Sequence, residues 1–217
     1  MPDLVVHLAA HAKVHDLVIT PSRAFDNIQM TRQVLEFCRR NALPLVFASS
    51  REVYGDSDRP STREEDAGFM QVASSYAASK IACEAMIQAY TRCYGMRHLV
   101  FRLSNVYGRY DDDMQRMSRV VPLFIDRIGR GLPVKVFGEK KILDFTHVDD
   151  CVSGMMLGIE HLLVGRIQNR TLNLARGEGN SLLKLARYIG HALHREPKIE
   201  VRPPLQGEIT RYVANID

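Results

Sequence analysis

Three short apolar runs, Leu4-Val5-Val6-His7-Leu8, Leu45-Val46-Phe47-Ala48 and His98-Leu99-Val100-Phe101-Arg102-Leu103, each lead into small or polar residues. Runs of this length, without polar alternation, have the pattern of strands buried on both faces. Between them lie two segments with apolar residues at helical spacing. Residues 22–40 carry Phe25, Ile28, Leu35 and Cys38 on one face and Arg39-Arg40 in the last turn. The second segment runs to about Cys93, carries Ile81, Ala85, Met86, Ala89 and Tyr90 on one stripe, and stops at Gly95. Strands alternating with helices predict an α/β fold with a parallel sheet and right-handed crossovers. Such sheets bind ligands at the C-terminal ends of their strands. Those ends are His7 to Ala10, Ser49-Ser50 and Ser104-Asn105.

Past Gly108 the elements are shorter. Asp111-Asp112-Asp113 reads as a loop, residues 118–130 as a helix and Val134 to Phe137 as a strand. Leu143 to Val148 leads into a helix from Asp149 or Asp150 to about Leu163, and Leu172-Asn173-Leu174 is a further strand. Ser181 caps a helix with Leu182, Leu185, Ile189 and Leu193 on one face. The tail holds one short strand.

Length and composition set the broad class. A chain of 217 residues can bury a good core, and 46% hydrophobic with 25% charged residues is ordinary for a globular protein. No apolar run reaches the roughly 18 residues of a membrane span. The start has neither a basic region nor a long apolar stretch, so a cytoplasmic location is expected. A net charge of +4, spread along the chain, argues against a nucleic-acid stripe. Cys38, Cys83, Cys93 and Cys151 form no CxxC pair and read as reduced thiols, and no metal site is expected.

The segment Ser74-Ser75-Tyr76-Ala77-Ala78-Ser79-Lys80 carries the chemistry. Tyr76 and Lys80, four apart on a helix, face the same way. An ammonium beside a phenol is expected to lower its pKa from about 10, giving a group that can take and return an alcohol's proton. Taken alone, Ser49 and Ser50 read as strand-end caps, and His147 as a packed histidine.

Taken together, His7-Leu8-Ala9-Ala10, Asn27, Phe47-Ala48-Ser49-Ser50 with Val53-Tyr54-Gly55, Ser75 to Lys80, Arg102 to Gly108 and Asp144 to Asp150 resemble the extended short-chain dehydrogenase/reductase family. Its members are NAD-dependent epimerases and dehydratases of nucleotide sugars, and UDP-galactose 4-epimerase is the nearest in flavour. The resemblance implies a Rossmann-type sheet with helices on both faces, spanning residues 1–108. It also implies a small interleaved substrate lobe over 109–217, with segments near 143–176 returning to the core. Tyr76 would be the base, Lys80 would hold the nicotinamide ribose, and Ser50 would orient the reacting oxygen. Leu8, Ala9, Ala10, Asn27 and Leu103 match cofactor-lining positions. Ser50, Glu52 and Asn105 match substrate positions. Asn27 also has a structural reading, as a side chain bonding backbone between sheet and helix. A homodimer through the helices at 22–40 and 75–93 is implied as well.

Three departures qualify the resemblance. The family opens on a glycine-rich turn that cradles the cofactor diphosphate, and this chain has none. About 60 residues, with three strands, are expected ahead of it in relatives. The sheet is therefore expected to be N-terminally truncated and the chain alone to hold NAD poorly. Next, the family's two phosphate-gripping arginines are replaced by Leu143 and Leu205, with Lys140, Lys141 or Arg202 as possible substitutes. Finally, the dehydratases' Asp-Glu pair is replaced by Arg51-Glu52. Arg51 cannot act as a general acid, so epimerisation comes first. A UDP-glucuronate-decarboxylase-like or reductase activity, or a non-catalytic binding role, remains as an alternative.

Overall fold

The three apolar runs become β1 (Val5–His7), β2 (Leu45–Ser50) and β3 (His98–Leu103) of a computed structural model that describes residues 2–56, 59–111, 114 and 119–217. With β7 (Arg170–Leu174) they form a parallel sheet ordered β1-β2-β3-β7. Side chains alternate across it. Leu45, Phe47 and Val100 meet Leu35 and Cys38 of α2 (Arg23–Asn41) and Cys83 and Ile87 of α3 (Ser75–Tyr94). Val46, Leu99 and Phe101 meet Met155, Ile159 and Leu162 of α5 (Val148–Leu163) on the other face. Each large side chain so buried contributes about 1.5–3 kcal/mol. The α5 face sits close to the sheet: a Cβ at Gly158 would stand 2.5 Å from the Phe101 ring.

The second half builds a smaller apolar centre. There α4 (Val120–Gly129) contributes Val121, Phe124 and Ile128, and α6 (Leu182–Ala192) contributes Leu182, Ala186 and Ile189. They pack on Val134 and Val136 of β5 (Val134–Phe137) and on Leu143 and Phe145 of β6 (Ile142–His147). Strand β6 pairs in parallel with β4 (Asn105–Tyr107) and antiparallel with β8 (Gly179–Ser181), while β5 pairs with β9 (Ile199–Arg202). Ser181 caps α6 by accepting from the Lys184 amide at 3.1 Å. His147 is the N-cap of α5, its Nδ1 accepting from the Asp149 amide at 3.3 Å.

Several expectations are corrected. Phe25 is 72% exposed, because the buried stripe of α2 is Ala24, Asn27, Thr31, Leu35 and Cys38. Polar Asn27 and Thr31 take the inner face because they have partners there. Asn27 bonds His11, and the Thr31 hydroxyl lies 3.1 Å from His7 Nε2. Leu193 lies just past the end of α6 and is 37% exposed. A short helix, α1 (Val14–Ile19), follows β1 where none is predicted; only Leu17 of it is buried. Strands β4 and β8 are also unpredicted. Residue 118, the expected first residue of α4, and Asp112 and Asp113 of the expected loop lie outside the described residues. Among the described residues no helix is long and apolar enough to cross a membrane, and no His/Cys/Asp/Glu group could hold a metal.

Candidate active site

Helix α3 begins against the ends of the parallel strands. Ser74 caps it, its hydroxyl accepting from the Ala77 amide at 3.2 Å. This places Tyr76 in the first turn and Lys80 one turn later, both facing inward at 7% and 4% exposure. Lys80 Nζ donates to the Ala48 carbonyl of β2 at 2.7 Å and stands 4.7 Å from the Phe47 ring centroid. Ser50, two residues further along β2, lies against the Tyr76 hydroxyl. Tyr76, Lys80 and Ser50 are thus brought together at one strand end.

Their electrostatics differ from the expectation. Burial pushes the Tyr76 phenol up to about 12, and the Ser50 hydroxyl offsets only part of this. Lys80 stands 5.9 Å from the Tyr76 ring centroid and is committed to a carbonyl, so its charge does not overcome that burial. Burial also lowers Lys80 itself to about 8. The predicted lowering of the Tyr76 pKa is therefore not present in the ligand-free chain.

The remaining predicted residues divide. Asn27 is buried and clamps the loop after β1. Its Oδ1 accepts from the His11 amide at 2.7 Å, and its Nδ2 donates to the His11 carbonyl and to Ser79 Oγ, both at 3.2 Å. Ala10 lines a cleft of about 520 Å³. Leu8 is 59% exposed, Ala9 is exposed and Leu103 half-buried. Asn105 Nδ2 donates to the Asp144 carbonyl at 3.0 Å, tying β4 to β6. Glu52 is buried, and its carboxylate pairs with Arg51 at 2.8 Å.

The 520 Å³ cleft lies beside Tyr76 rather than on it, between the loop after β1 and the Val106–Asp111 segment. Lys13, Arg23, Arg109 and Arg119 line it. The Arg119 charge reaches the Tyr76 hydroxyl. Two of the three basic groups expected to replace the phosphate-gripping arginines are ion-paired: Lys141 with Glu208 at 2.6 Å and Arg202 with Glu200 at 2.9 Å. Leu143 is a core residue of the smaller lobe.

One buried network lies outside the predicted site residues. Glu84 accepts from Ser49 Oγ and from Arg102 Nε and Nη2 at 3.1 and 2.7 Å. Arg102 Nη1 continues to Tyr54 Oη at 3.1 Å, and Tyr54 donates to Asn173 at 2.6 Å. Burial alone would lower the Arg102 pKa, but the Glu84 pair outweighs it and raises it. The signal was a lone arginine inside an otherwise apolar strand.

The model of the NAD-dependent epimerase/dehydratase family matches residues 1–175. The chain belongs to that family. It is 28% identical to a putative UDP-glucose 4-epimerase of Methanocaldococcus jannaschii, over 99% of this chain and 68% of that protein. It is 30% identical to a dTDP-glucose 4,6-dehydratase of Mycobacterium tuberculosis, over 90% of this chain and 57% of that one. Among solved structures, the UDP-glucose 4-epimerase of Thermotoga maritima with UDP-glucose superposes with a TM-score of 0.90 at 27% identity, covering 99% of this chain and 69% of that one. The Thermus thermophilus enzyme with NAD gives 0.88 at 28%, with the same coverage. This chain thus spans between about half and two thirds of the curated relatives it matches.

The residues present suit one end of the family's cofactor. Tyr76 and Lys80, buried at the strand ends beside Ser50, offer a phenol and an ammonium to a ribose and a redox ring. For the diphosphate there is no counterpart: no glycine-rich turn runs from strand to helix among the described residues. Gly129 and Gly131 lie at the end of α4, and Gly177 and Gly179 between β7 and β8.

Proposed function

We propose that this chain carries the catalytic centre of an NAD-dependent nucleotide-sugar epimerase. The observation that supports it is the meeting of Tyr76, Ser50 and Lys80 at the C-terminal end of a parallel strand. NAD, when bound, supplies the hydride acceptor and a positively charged ring. Tyr76 Oη takes the proton of the sugar hydroxyl being oxidised and returns it after the sugar has presented its other face. Ser50 Oγ holds the reacting oxygen against Tyr76. Lys80 Nζ, held at the Ala48 carbonyl, would bond the nicotinamide ribose, and Ala10, Leu103, Leu8 and Ala9 would line the cofactor. Arg119, Arg109 and Lys13 would have to exchange their carboxylate partners, Asp111, Asp149 and Asp16, for the substrate diphosphate.

Glu52, buried and with its charge felt at Tyr76, supports a second reading as a sugar-acid decarboxylase on the same scaffold. Subunits pair through α2 and α3, where Phe25 and Phe37 are exposed. Sedimentation at a dimer's mass is the expected result, and a strict monomer at high concentration refutes it.

The activity test is conversion of UDP-glucose to UDP-galactose with NAD in excess. Tyr76→Phe is expected to lower turnover at least a hundredfold, the usual share of a positioned acid–base group. Unchanged turnover removes Tyr76 from the mechanism.

A further inference from the structure

The tip of β2 outruns one of its neighbours. Strand β1 pairs with β2 only from Val5–Leu45 to His7–Phe47, whereas β3 continues alongside β2 as far as Ser50, opposite Leu103. Ala48, Ser49 and Ser50 therefore have a ladder partner on the β3 side and none in β1. Where Ser50 sits against Tyr76 depends on what else grips this tip. Helix α3 supplies the grip. Tyr76, Lys80 and Glu84 stand four residues apart on one face of it. Lys80 Nζ donates to the Ala48 carbonyl at 2.7 Å, Ser49 Oγ donates to Glu84 Oε1, and Ser50 lies against the Tyr76 hydroxyl. Three successive residues of the strand thus meet three successive turns of the helix.

Glu84 is a fixed post for its part of this contact. Arg102 Nε and Nη2 grip its two oxygens at 3.1 and 2.7 Å. Arg102 is itself anchored, donating from Nη1 to Tyr54 Oη at 3.1 Å and to the Glu64 carbonyl at 2.6 Å. It is also the cross-strand neighbour of Ser49. One carboxylate therefore clamps β2 and β3 to α3 at the same level. Ser49 is buried, so water competes little for its hydroxyl, and a bond from a hydroxyl to a carboxylate is among the strong ones.

We infer that Ser49 is a positioning residue: by donating to Glu84 it fixes the tip of β2 so that the Ser50 hydroxyl stays against Tyr76. Ser49 acts on the reaction only through Ser50. A displacement of about 1 Å at a reacting group can cost about a hundredfold in rate, and rigid support behind that group prevents it. Ser49→Ala leaves Glu84 with both of its Arg102 bonds, so the fold should survive while the tip loosens.

The inference rests on the Tyr76–Ser50 reading of the catalytic centre. The test reads the isotope-labelled Cζ resonance of Tyr76 in the ligand-free 217-residue chain, assigned by its loss in Tyr76→Phe. This signal reports the hydrogen bond at the phenol and needs no turnover. Ser49→Ala is expected to move it in the same direction as Ser50→Ala, with the urea midpoint nearly unchanged, and Ser49→Thr, which keeps the hydroxyl, to leave it in place. In turnover of UDP-glucose, Ser49→Ala should lower kcat about tenfold or more with KM within about twofold, the mark of a group that acts on the transition state alone. Ser49→Cys, of similar size with a weaker donor, replaces Ser49→Ala if that variant does not fold. A resonance that moves in Ser50→Ala but not in Ser49→Ala, or that moves as far in Ser49→Thr, overturns the positioning role. A resonance that Ser50→Ala leaves unmoved overturns the Tyr76–Ser50 contact, and with it both the catalytic reading and this inference.

Discussion

Lys80 is buried at a cost to the fold, and Lys80→Met should expose that cost. Burial lowers its pKa from 10.5 to about 8. Each tenfold change in proton affinity is worth about 1.4 kcal/mol, so burying the protonated amine costs the folded state about 3 kcal/mol wherever both states are charged. Between about 8 and 10.5 the unfolded chain binds a proton that the folded chain has released, so stability rises with pH across that window. The gain is complete above 10.5 and lost as pH falls through 8. Lys80→Met abolishes the titration and also removes the 2.7 Å bond to the Ala48 carbonyl, worth about 1 kcal/mol. At pH 7 the variant should therefore be more stable than the unmodified chain by about 2 kcal/mol, and above pH 10.5 less stable by about 1 kcal/mol. Urea unfolding of both proteins at several pH values, with linear extrapolation, measures the difference directly. A difference that stays flat from pH 7 to pH 10.5 would refute the argument. The stabilised variant should also lose turnover, because the desolvated amine belongs to the proposed site.

Arg102→Ala leaves Glu84 buried without its bidentate partner, at a cost of about 3–5 kcal/mol. For a chain of this size that lowers Tm by about 10 °C in calorimetry, and a loss under about 1 kcal/mol would show the pair to be dispensable. His98 is buried, contacts Gln88 at 3.2 Å and Thr91 at 2.7 Å, and is lowered by burial to about 4. Its contribution is complete above about 6.5 and lost as pH falls through 4, so His98→Gln should flatten the acid limb of the stability profile by about 3 kcal/mol. An unchanged acid limb assigns the loss to other groups.

How far the sequence could be read depended on whether a signal was local. The runs at 45–48 and 99–101 announce their strands because both faces of each strand meet helices, so the apolar pattern there is continuous. The six-residue α1 was invisible because one buried side chain, Leu17, makes no period. Strand β8 was invisible because Gly179 and Asn180 have no strand preference of their own; pairing with Leu143 and Asp144 decides it. The Tyr76–Lys80 spacing correctly predicted a shared face, but not the sign of the resulting pKa shift. Spacing reports proximity, whereas the shift follows from desolvation and from Lys80 turning to a carbonyl 32 residues away in sequence. Arg102 could be seen as unusual in its strand, but its partners Glu84, Tyr54 and Glu64 lie in three other segments.

The same non-local dependence governs the candidate site. The Arg51–Glu52 pair sits on a single 3-10 turn after β2, and nothing local fixes that turn against Tyr76. The C-terminal tail does so. Asp56, four residues beyond Glu52, accepts from the amides of Thr210 and Arg211 at 2.5 and 3.1 Å. Tyr212 stacks on Tyr54 with centroids 5.7 Å apart. Asp144, fully buried in β6, accepts from the amides of Arg176, Gly177 and Ala214 at 3.1, 2.9 and 3.3 Å, locking the tail to both lobes. Glu208 in that tail holds Lys141, and both charges reach Glu52. The tail therefore positions and electrostatically balances the strand end that carries Ser50, Arg51 and Glu52, although it contributes no group to proton transfer. Damage at Asp144 or Asp56 should accordingly register as a loss of turnover as well as a loss of stability, read from kcat and from urea unfolding of the same variant.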